Sequence, residues 1–405
     1  MQRRAQTDNP CAALPAAEKT NRFMKTLFPT PRAVQRAAFV LSRFSLLGVF
    51  LSVATANITN SLLLKYGFND QPAHASKHAS FRELMQGSAA RPFAYRSLLP
   101  RIDYALAQHI VRRHPSLAAS FEQLHLHRCY FADVRDIDWT PPVATAYTLM
   151  YFLILASTAL GLFFVYRIAR WRNLSFARAL AFLCVYSFLF PLLFQRSVFF
   201  YDFFEFAGVF GAVYFFLEGW MFRCTAIIVL GSLVKETFFL VPIALLFLHK
   251  DEVPRSKRLW WLGVQLTCSL MARHLIMRGF EHNPGGMVEF HLWDNIAFWL
   301  NPKYYLDWNN LLAPGVFLPR LENPLLAVPI ALAGRDAWHA SEERWRRYFL
   351  AAFLPLLALF IVFGYGDMFR NFSLALPAVV LLALNAVTDS NKIRLISTRG
   401  YTTSE

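Results

Sequence analysis

The sequence predicts an all-α polytopic membrane protein: about eight full transmembrane helices plus a broken helical hairpin, with interfacial helices in a large first outer loop. Three observations predict it. Of 405 residues, 56% are hydrophobic and 16% aromatic, 40 of them Phe, too apolar a composition for a soluble domain to cover with polar surface. The apolar residues gather in runs near the roughly 20 residues that cross a hydrocarbon core. The formal charge of +15 is carried by Lys and Arg beside those runs, where the positive-inside rule and anionic headgroups account for it. That placement argues against nucleic-acid binding.

Residues 1–36 include Arg3, Arg4, Lys19, Arg22, Lys25, Arg32 and Arg36 and no short apolar core ahead of a small-residue cleavage site, so they read as a cytoplasmic tail. The first span, 38–63, then leads outward into a polar region, 65–142, the large outer loop. A second span, 143–166, returns to "RIARWRNLSFAR", whose four arginines mark an inner loop. Spans at 179–194 and 199–217 go out past Gln195 and Arg196 and back to Arg223.

The next apolar run, 225–248, could extend about 36 Å as one helix at 1.5 Å per residue. Yet "HKDEVPRSKR" after it is as basic as Arg223 before it, so both ends belong on one side. A hairpin that breaks near Lys235, Glu236 and Thr237 satisfies both, provided its broken backbone is buried in protein or lines a wet cavity. Further spans at 259–277, 311–333, 348–363 and 372–387 complete eight crossings, with an aromatic second outer segment at 278–310 and the C-terminus inside. With no internal repeat or low-complexity linker, 1–405 reads as a single integral membrane domain. The location expected is an inner (plasma) membrane with both termini cytoplasmic.

This topology puts isolated charges toward the outer face: Asp70, Arg91 and Arg96, then Arg196, Tyr201, Asp202 and Glu205 in "FQRSVFFYDFFEF", Lys235 and Glu236 at the hairpin tip, and Asp367 and Arg370 in "GYGDMFRN". Arginines clamp phosphate through two parallel N–H bonds, and a nearby carboxylate can deprotonate a hydroxyl. Such a mixture suits a substrate with an anionic phosphate and a reacting centre. The alternative stays open that Lys235 and Glu236 belong to buried ion pairs fixing helix register and that Arg196 caps its span. "RPFAYRSLLPRIDYALAQHIVRR" alternates apolar and basic positions at helical spacing, as an interfacial helix does. His125, His127 and Cys129 are answered by no second cluster, and the five cysteines follow no zinc or disulfide spacing. No Walker loop, GxGxxG or GxSxG occurs.

The arrangement resembles the GT-C superfamily of polytopic membrane glycosyltransferases, which use polyprenyl-phosphate-linked sugars. The likeness lies in the large first outer loop, an acidic residue soon after the first span (Asp70), a Lys-containing break followed by an apolar stretch with proline ("LVKETFFLVP"), and "GDMFRNFSLALP" before the last span. The resemblance implies a transferase at the outer face, with Asp70 as the base and Lys235 and Arg370 as the basic residues that hold the donor phosphate. Topology adds Asp202 as a second catalytic candidate and Arg91, Arg96, Arg196, Tyr201 and Glu236 as substrate-binding ones. The family's paired acids are absent, since Asn69 precedes Asp70. The partners implied are a polyprenyl-phosphate-linked sugar, membrane lipids and an unidentified acceptor. A divalent cation could assist at the phosphate, although the sequence offers no ligand set for one. A lipid-linked sugar flippase and a non-enzymatic membrane scaffold of a polysaccharide assembly are the competing readings.

Overall fold

The computed structural model describes residues 31–68, 80–130, 138–194, 197–250, 252–286, 288–309, 318–364 and 369–400. In chain order the helices are α1 (Pro31–Tyr66), α2 (Phe81–Gln86), α3 (Leu98–Arg113), α4 (Pro115–Gln123), α5 (Leu126–Tyr130), α6 (Pro141–Trp171), α7 (Phe176–Leu189), α8 (Phe200–Leu217), α9 (Met221–Val234), α10 (Leu240–Leu246), α11 (Arg255–Gly279), α12 (Leu292–Trp299), α13 (Lys303–Leu306), α14 (Pro324–His339), α15 (Glu343–Phe363) and α16 (Leu376–Gly400). Short 3-10 turns at Phe93–Arg96, Glu236–Phe239 and Phe369–Ala375 join several of them. Among the described residues the exception to an all-helical fold is a two-residue antiparallel pairing of Trp308–Asn309 with Leu318–Pro319.

The chain divides by packing into two units after Phe50: the N-terminal part of α1, and everything from Leu51 onward. The second unit holds all the side chains discussed below.

Among the described residues six helices are long and apolar enough to cross a membrane: Ala38–Tyr66, Pro141–Trp171, Phe176–Leu193, Phe200–Leu217, Glu343–Phe363 and Phe369–Thr388. The chain is therefore a multi-pass membrane protein. Two expected crossings are not among the six. α11 has the length for 259–277 but carries Arg255, Lys257, Arg258, Arg273 and Arg278. The run at 311–333 is interrupted: residues 311–317 lie outside the described residues, Leu318 and Pro319 are extended, and α14 begins only at Pro324. Its 16 residues span about 24 Å, short of a hydrocarbon core of about 30 Å.

α8 is the central helix, with 78% of its apolar window buried inside the protein. Its neighbours approach through glycines. A Cβ at Gly161 of α6 would stand 2.2 Å from the ring of Phe206, and one at Gly211 of α8 would stand 2.8 Å from that of Phe164. The outward faces of α1, α7 and α11 expose Val53, Val185, Phe188 and Met271, as side chains that face lipid do.

The apolar run 225–248 is broken near its middle. α9 ends where Lys235 turns extended (φ −142°, ψ 134°), and the chain continues through a 3-10 turn into α10. α9 and α11 run parallel, in a register read from four pairs. Phe222 meets Trp261 with ring centroids 5.3 Å apart, Gln265 donates to Thr225 at 3.3 Å, the Ser232 and Ser269 hydroxyls are 2.6 Å apart, and Arg273 lies 4.0 Å from Glu236. α9 and α11 can run parallel only if the chain between them, which includes α10, returns to its starting level. The His249 ring, 4.6 Å from that of Phe216 at the end of α8, marks that return. Cysteines placed at 223 and 250 should accordingly react with a membrane-impermeant maleimide from one side; labelling from opposite sides would contradict the parallel register.

α3 is amphipathic as expected. Pro100, Asp103 and Ala107 are buried, while Ile102 and Leu106 are exposed. Burial pushes the Asp103 carboxyl up to about 8, and neither oxygen finds a hydrogen-bond partner among the described residues. The loop ahead of α3 is fastened to the end of α11: Asn283 donates to the carbonyls of Gly87 and Ala89, both at 2.8 Å, and the Arg91 N–H donates to Pro284 at 2.7 Å. α12 is pinned likewise to the last turn of α15, where Asn295 donates to the Ile361 and Gly364 carbonyls at 3.0 and 2.6 Å. Those carbonyls have no partner within their own helix.

Candidate functional site

At the end of the bundle where α8 begins and α9 stops, charged side chains from five segments meet. The first turn of α8 supplies Tyr201, Asp202 and Glu205, all buried. Lys235 is the junction residue of the hairpin and Glu236 the first residue of its 3-10 turn. Arg370 comes from the turn Phe369–Ala375, Arg96 from the turn Phe93–Arg96, and Arg273 from α11.

Local sequence explains why each stands there. Asp202 is the third residue of α8, and its Oδ2 accepts the Phe199 N–H at 2.9 Å, so the carboxylate closes the helix start. Glu205, three residues on, shares that face. Lys235 donates its own N–H to Gly231 at 2.8 Å, the last bond of α9, and its extended backbone frees the side chain to turn back toward α8. Phe238 fixes the turn: a Cβ at Gly231 would stand 2.2 Å from its ring and one at Gly208 2.8 Å from it. The ring lies between two helix backbones that only glycine leaves open.

The contacts form two linked groups. In the deeper one, Asp202 accepts from Arg370 Nη1 at 2.8 Å and from Lys235 Nζ at 3.4 Å, and Lys235 also donates to Glu205. The side chains of Asp202 and Glu205 are 1% exposed and that of Lys235 is 7% exposed. In the shallower group, Arg96 grips Glu236 with two nitrogens, Nε to Oε2 at 3.2 Å and Nη2 to Oε1, and donates Nη1 to the Tyr201 hydroxyl. The Arg96 guanidinium carbon also lies 4.5 Å above the Tyr201 ring, and Lys235 Nζ lies 5.8 Å from the same ring. Tyr201 thus joins the groups. Four cations, Arg96, Lys235, Arg273 and Arg370, meet three carboxylates, Asp202, Glu205 and Glu236. Among the described residues the cluster carries one surplus positive charge.

Of the residues singled out in the sequence, Arg96, Tyr201, Asp202, Glu205, Lys235, Glu236 and Arg370 are brought together. Arg91 is held by its backbone on the adjoining loop, and among the described residues no ion pair draws its side chain into the cluster. Asp70 and Arg196 lie outside the described residues, as does Asp367. Their described neighbours are fixed at this end of the bundle. Phe68 stacks on Phe81 at 5.2 Å, Phe81 meets Phe200 at 5.6 Å, and the Tyr66 hydroxyl donates to the Phe194 carbonyl at 2.7 Å.

Arg273 is the member that sequence reading missed, although an arginine inside an expected span is itself a signal. The arrangement also separates the carboxylates by chemistry. Asp202 is enclosed, and both its oxygens face cations. Glu236, whose side chain is 30% exposed, is the carboxylate that opens outward, between two arginines. Deeper in, Glu205 receives Lys235 at Oε2 while its Oε1 has no hydrogen-bond partner among the described residues.

A small apolar cavity lies behind the cluster, lined by Leu240, Val241, Ala244, Tyr348, Leu356 and Leu374. It joins the descending arm of the hairpin to α15. The chain matches no protein-family model, no curated protein and no solved structure.

Proposed function

We propose that this protein is a GT-C-like glycosyltransferase that moves a sugar from a polyprenyl-phosphate donor to an acceptor at the outer face of the inner membrane. The observation that carries the reading is the surplus positive charge, counted among the described residues, of a cluster assembled from five distant segments. The deep pairs balance, two cations against two carboxylates, so the surplus belongs to the shallower group that opens outward, where an anion can meet it. In this reading α11 also crosses the membrane, the hairpin enters and leaves on the cytoplasmic side, and α14 with the segment before it completes the eight crossings. The charged end then lies in the outer leaflet, flanked by α3 and α12 at the interface.

The chemistry is displacement at the anomeric carbon, the C–O bond to phosphate breaking as the acceptor oxygen bonds to carbon. The phosphate leaves on its lipid and takes up the developing negative charge. Fixed guanidinium donors in a dry site stabilise that charge without reorganising. Arg96 is the outermost of them. Because Asp202 and Glu205 are occupied by cations, the acceptor proton goes to a carboxylate outside the cluster, and Asp70, two residues beyond the anchored Phe68, is the candidate.

Purified protein given polyprenyl-phosphate sugars should release free polyprenyl phosphate, and Asp70→Asn and Arg96→Ala should each lower the rate about 100-fold or more, the scale of losing a general base or a transition-state donor. Passage of intact sugar-lipid across proteoliposomes without bond cleavage would replace this reading with the flippase. A second reading rests on the saturation of Asp202, which suits a structural keystone of a membrane scaffold. It gains if both variants retain full biological activity and no release is seen.

A further inference from the structure

Arg273 is a half-buried cation whose nearest carboxylate is already taken. Its side chain is 11% exposed, and the carboxylate nearest to it is Glu236, with Nη2 4.0 Å from Oε2. That distance is an ion pair at its limit and too long for a hydrogen bond. Both oxygens of Glu236 are meanwhile held by the fork of Arg96. The guanidinium carbon of Arg273 lies 4.7 Å from the Tyr95 ring centroid, which covers one face of the group. Nη1 is buried and has no hydrogen-bond partner among the described residues. A guanidinium nitrogen withdrawn from water with no acceptor opposite it is costly to keep. A fold that keeps it in that state has a use for the free donor.

We propose that Arg273, together with Arg96, forms a binding site for a phosphate oxyanion, with Arg273 supplying the donor that the fold leaves unused. Three features define the ligand class. The charge offered is positive, the surplus that Arg96 and Arg273 hold over Glu236 among the described residues. The donor edge is planar, which matches the two oxygens of a phosphate better than it matches a halide. The route in is past the exposed side of Glu236, whose own charge is neutralised by Arg96. Arg273 is thus a positioning residue for the anion. The proposal deepens the transferase reading by naming a donor for the phosphate and rests on that reading only for the lipid source. A lipid phosphate and free phosphate present the same oxygens.

The experiment measures binding to the full-length protein in detergent by titration calorimetry, with a short-chain isoprenyl monophosphate in one arm and inorganic phosphate in the other. Wild-type protein should bind the isoprenyl phosphate, and Arg273→Gln should weaken that binding about 10- to 100-fold, the scale of a lost charge-assisted hydrogen bond. Arg273→Lys keeps the charge and loses the fork. It should fold normally by thermal melting and bind about tenfold more weakly, which keeps the test valid if the glutamine variant fails to fold. Equal competition by inorganic phosphate would assign the site to a free anion, and binding of the lipid form alone would assign it to a headgroup. Lower melting temperatures with unchanged affinity in both variants would overturn the proposal, leaving Arg273 structural. Its failure is separable from that of the transferase reading: anion binding without sugar transfer refutes the reaction alone, and sugar transfer with anion affinity indifferent to Arg273 refutes the site alone.

Discussion

Replacing Asp202 by asparagine should cost about 3–5 kcal/mol of folding stability, the scale on which removing one partner from a buried ion pair destabilises a protein. Asparagine keeps the shape, so the loss isolates charge from packing. The carboxylate is 1% exposed and receives Arg370 at 2.8 Å and Lys235 at 3.4 Å. Without its charge, four cations share two carboxylates in a site that excludes water. A melting curve in detergent gives the measurement, and combining Asp202→Asn with Arg370→Gln gives the control. The double variant should recover part of the loss, with a coupling above about 1 kcal/mol. A single variant that melts with the wild type would show that the charges reach solvent and that the cluster is looser than its geometry indicates.

Gly231→Ala should be the most damaging change that adds no charge and removes no contact. The new methyl would stand 2.2 Å from Cε1 of Phe238, and the ring cannot retreat because Gly208 lies against it on α8, where a Cβ would stand 2.8 Å away. Overpacking of this kind costs about 1–3 kcal/mol. Here the strain falls on the turn that carries Lys235 and Glu236, so the variant should also lower the proposed transfer rate. Phe238→Leu removes the ring edge, and the pair Gly231→Ala with Phe238→Leu should be more stable than the sum of the two single effects allows. Strict additivity would show that the clash is relieved elsewhere.

Both predictions depend on the hairpin, and its two halves were legible to different degrees. That the run 225–248 reverses follows from charge alone: Arg223 and the basic stretch after His249 belong on one side, while Lys235 and Glu236 interrupt the hydrocarbon between them. The cause of the break at Lys235 is not in that pattern. It lies in the fit of Phe238 between glycines of two helices, one of them more than twenty residues upstream. Similarly, Asp202 and Lys235 stood out as charges within apolar runs, since each costs free energy there without a partner. Which partner each takes is a matter of helix register.

The helical class, most of the apolar segments, and six members of the charged cluster were set by composition and periodicity, because a bilayer rewards apolar length and penalises every unpaired charge. Tertiary structure alone decided that α9 and α11 run parallel, that Arg273 thereby reaches Glu236 across 37 residues of chain, and that four cations gather around three carboxylates. It also set the start of α14 at Pro324, after an extended Leu318–Pro319. The physical reason is the same throughout. Solvent preference acts on each residue separately and can be summed along the chain, whereas ion pairing and steric fit act between residues whose proximity exists only once the helices have packed.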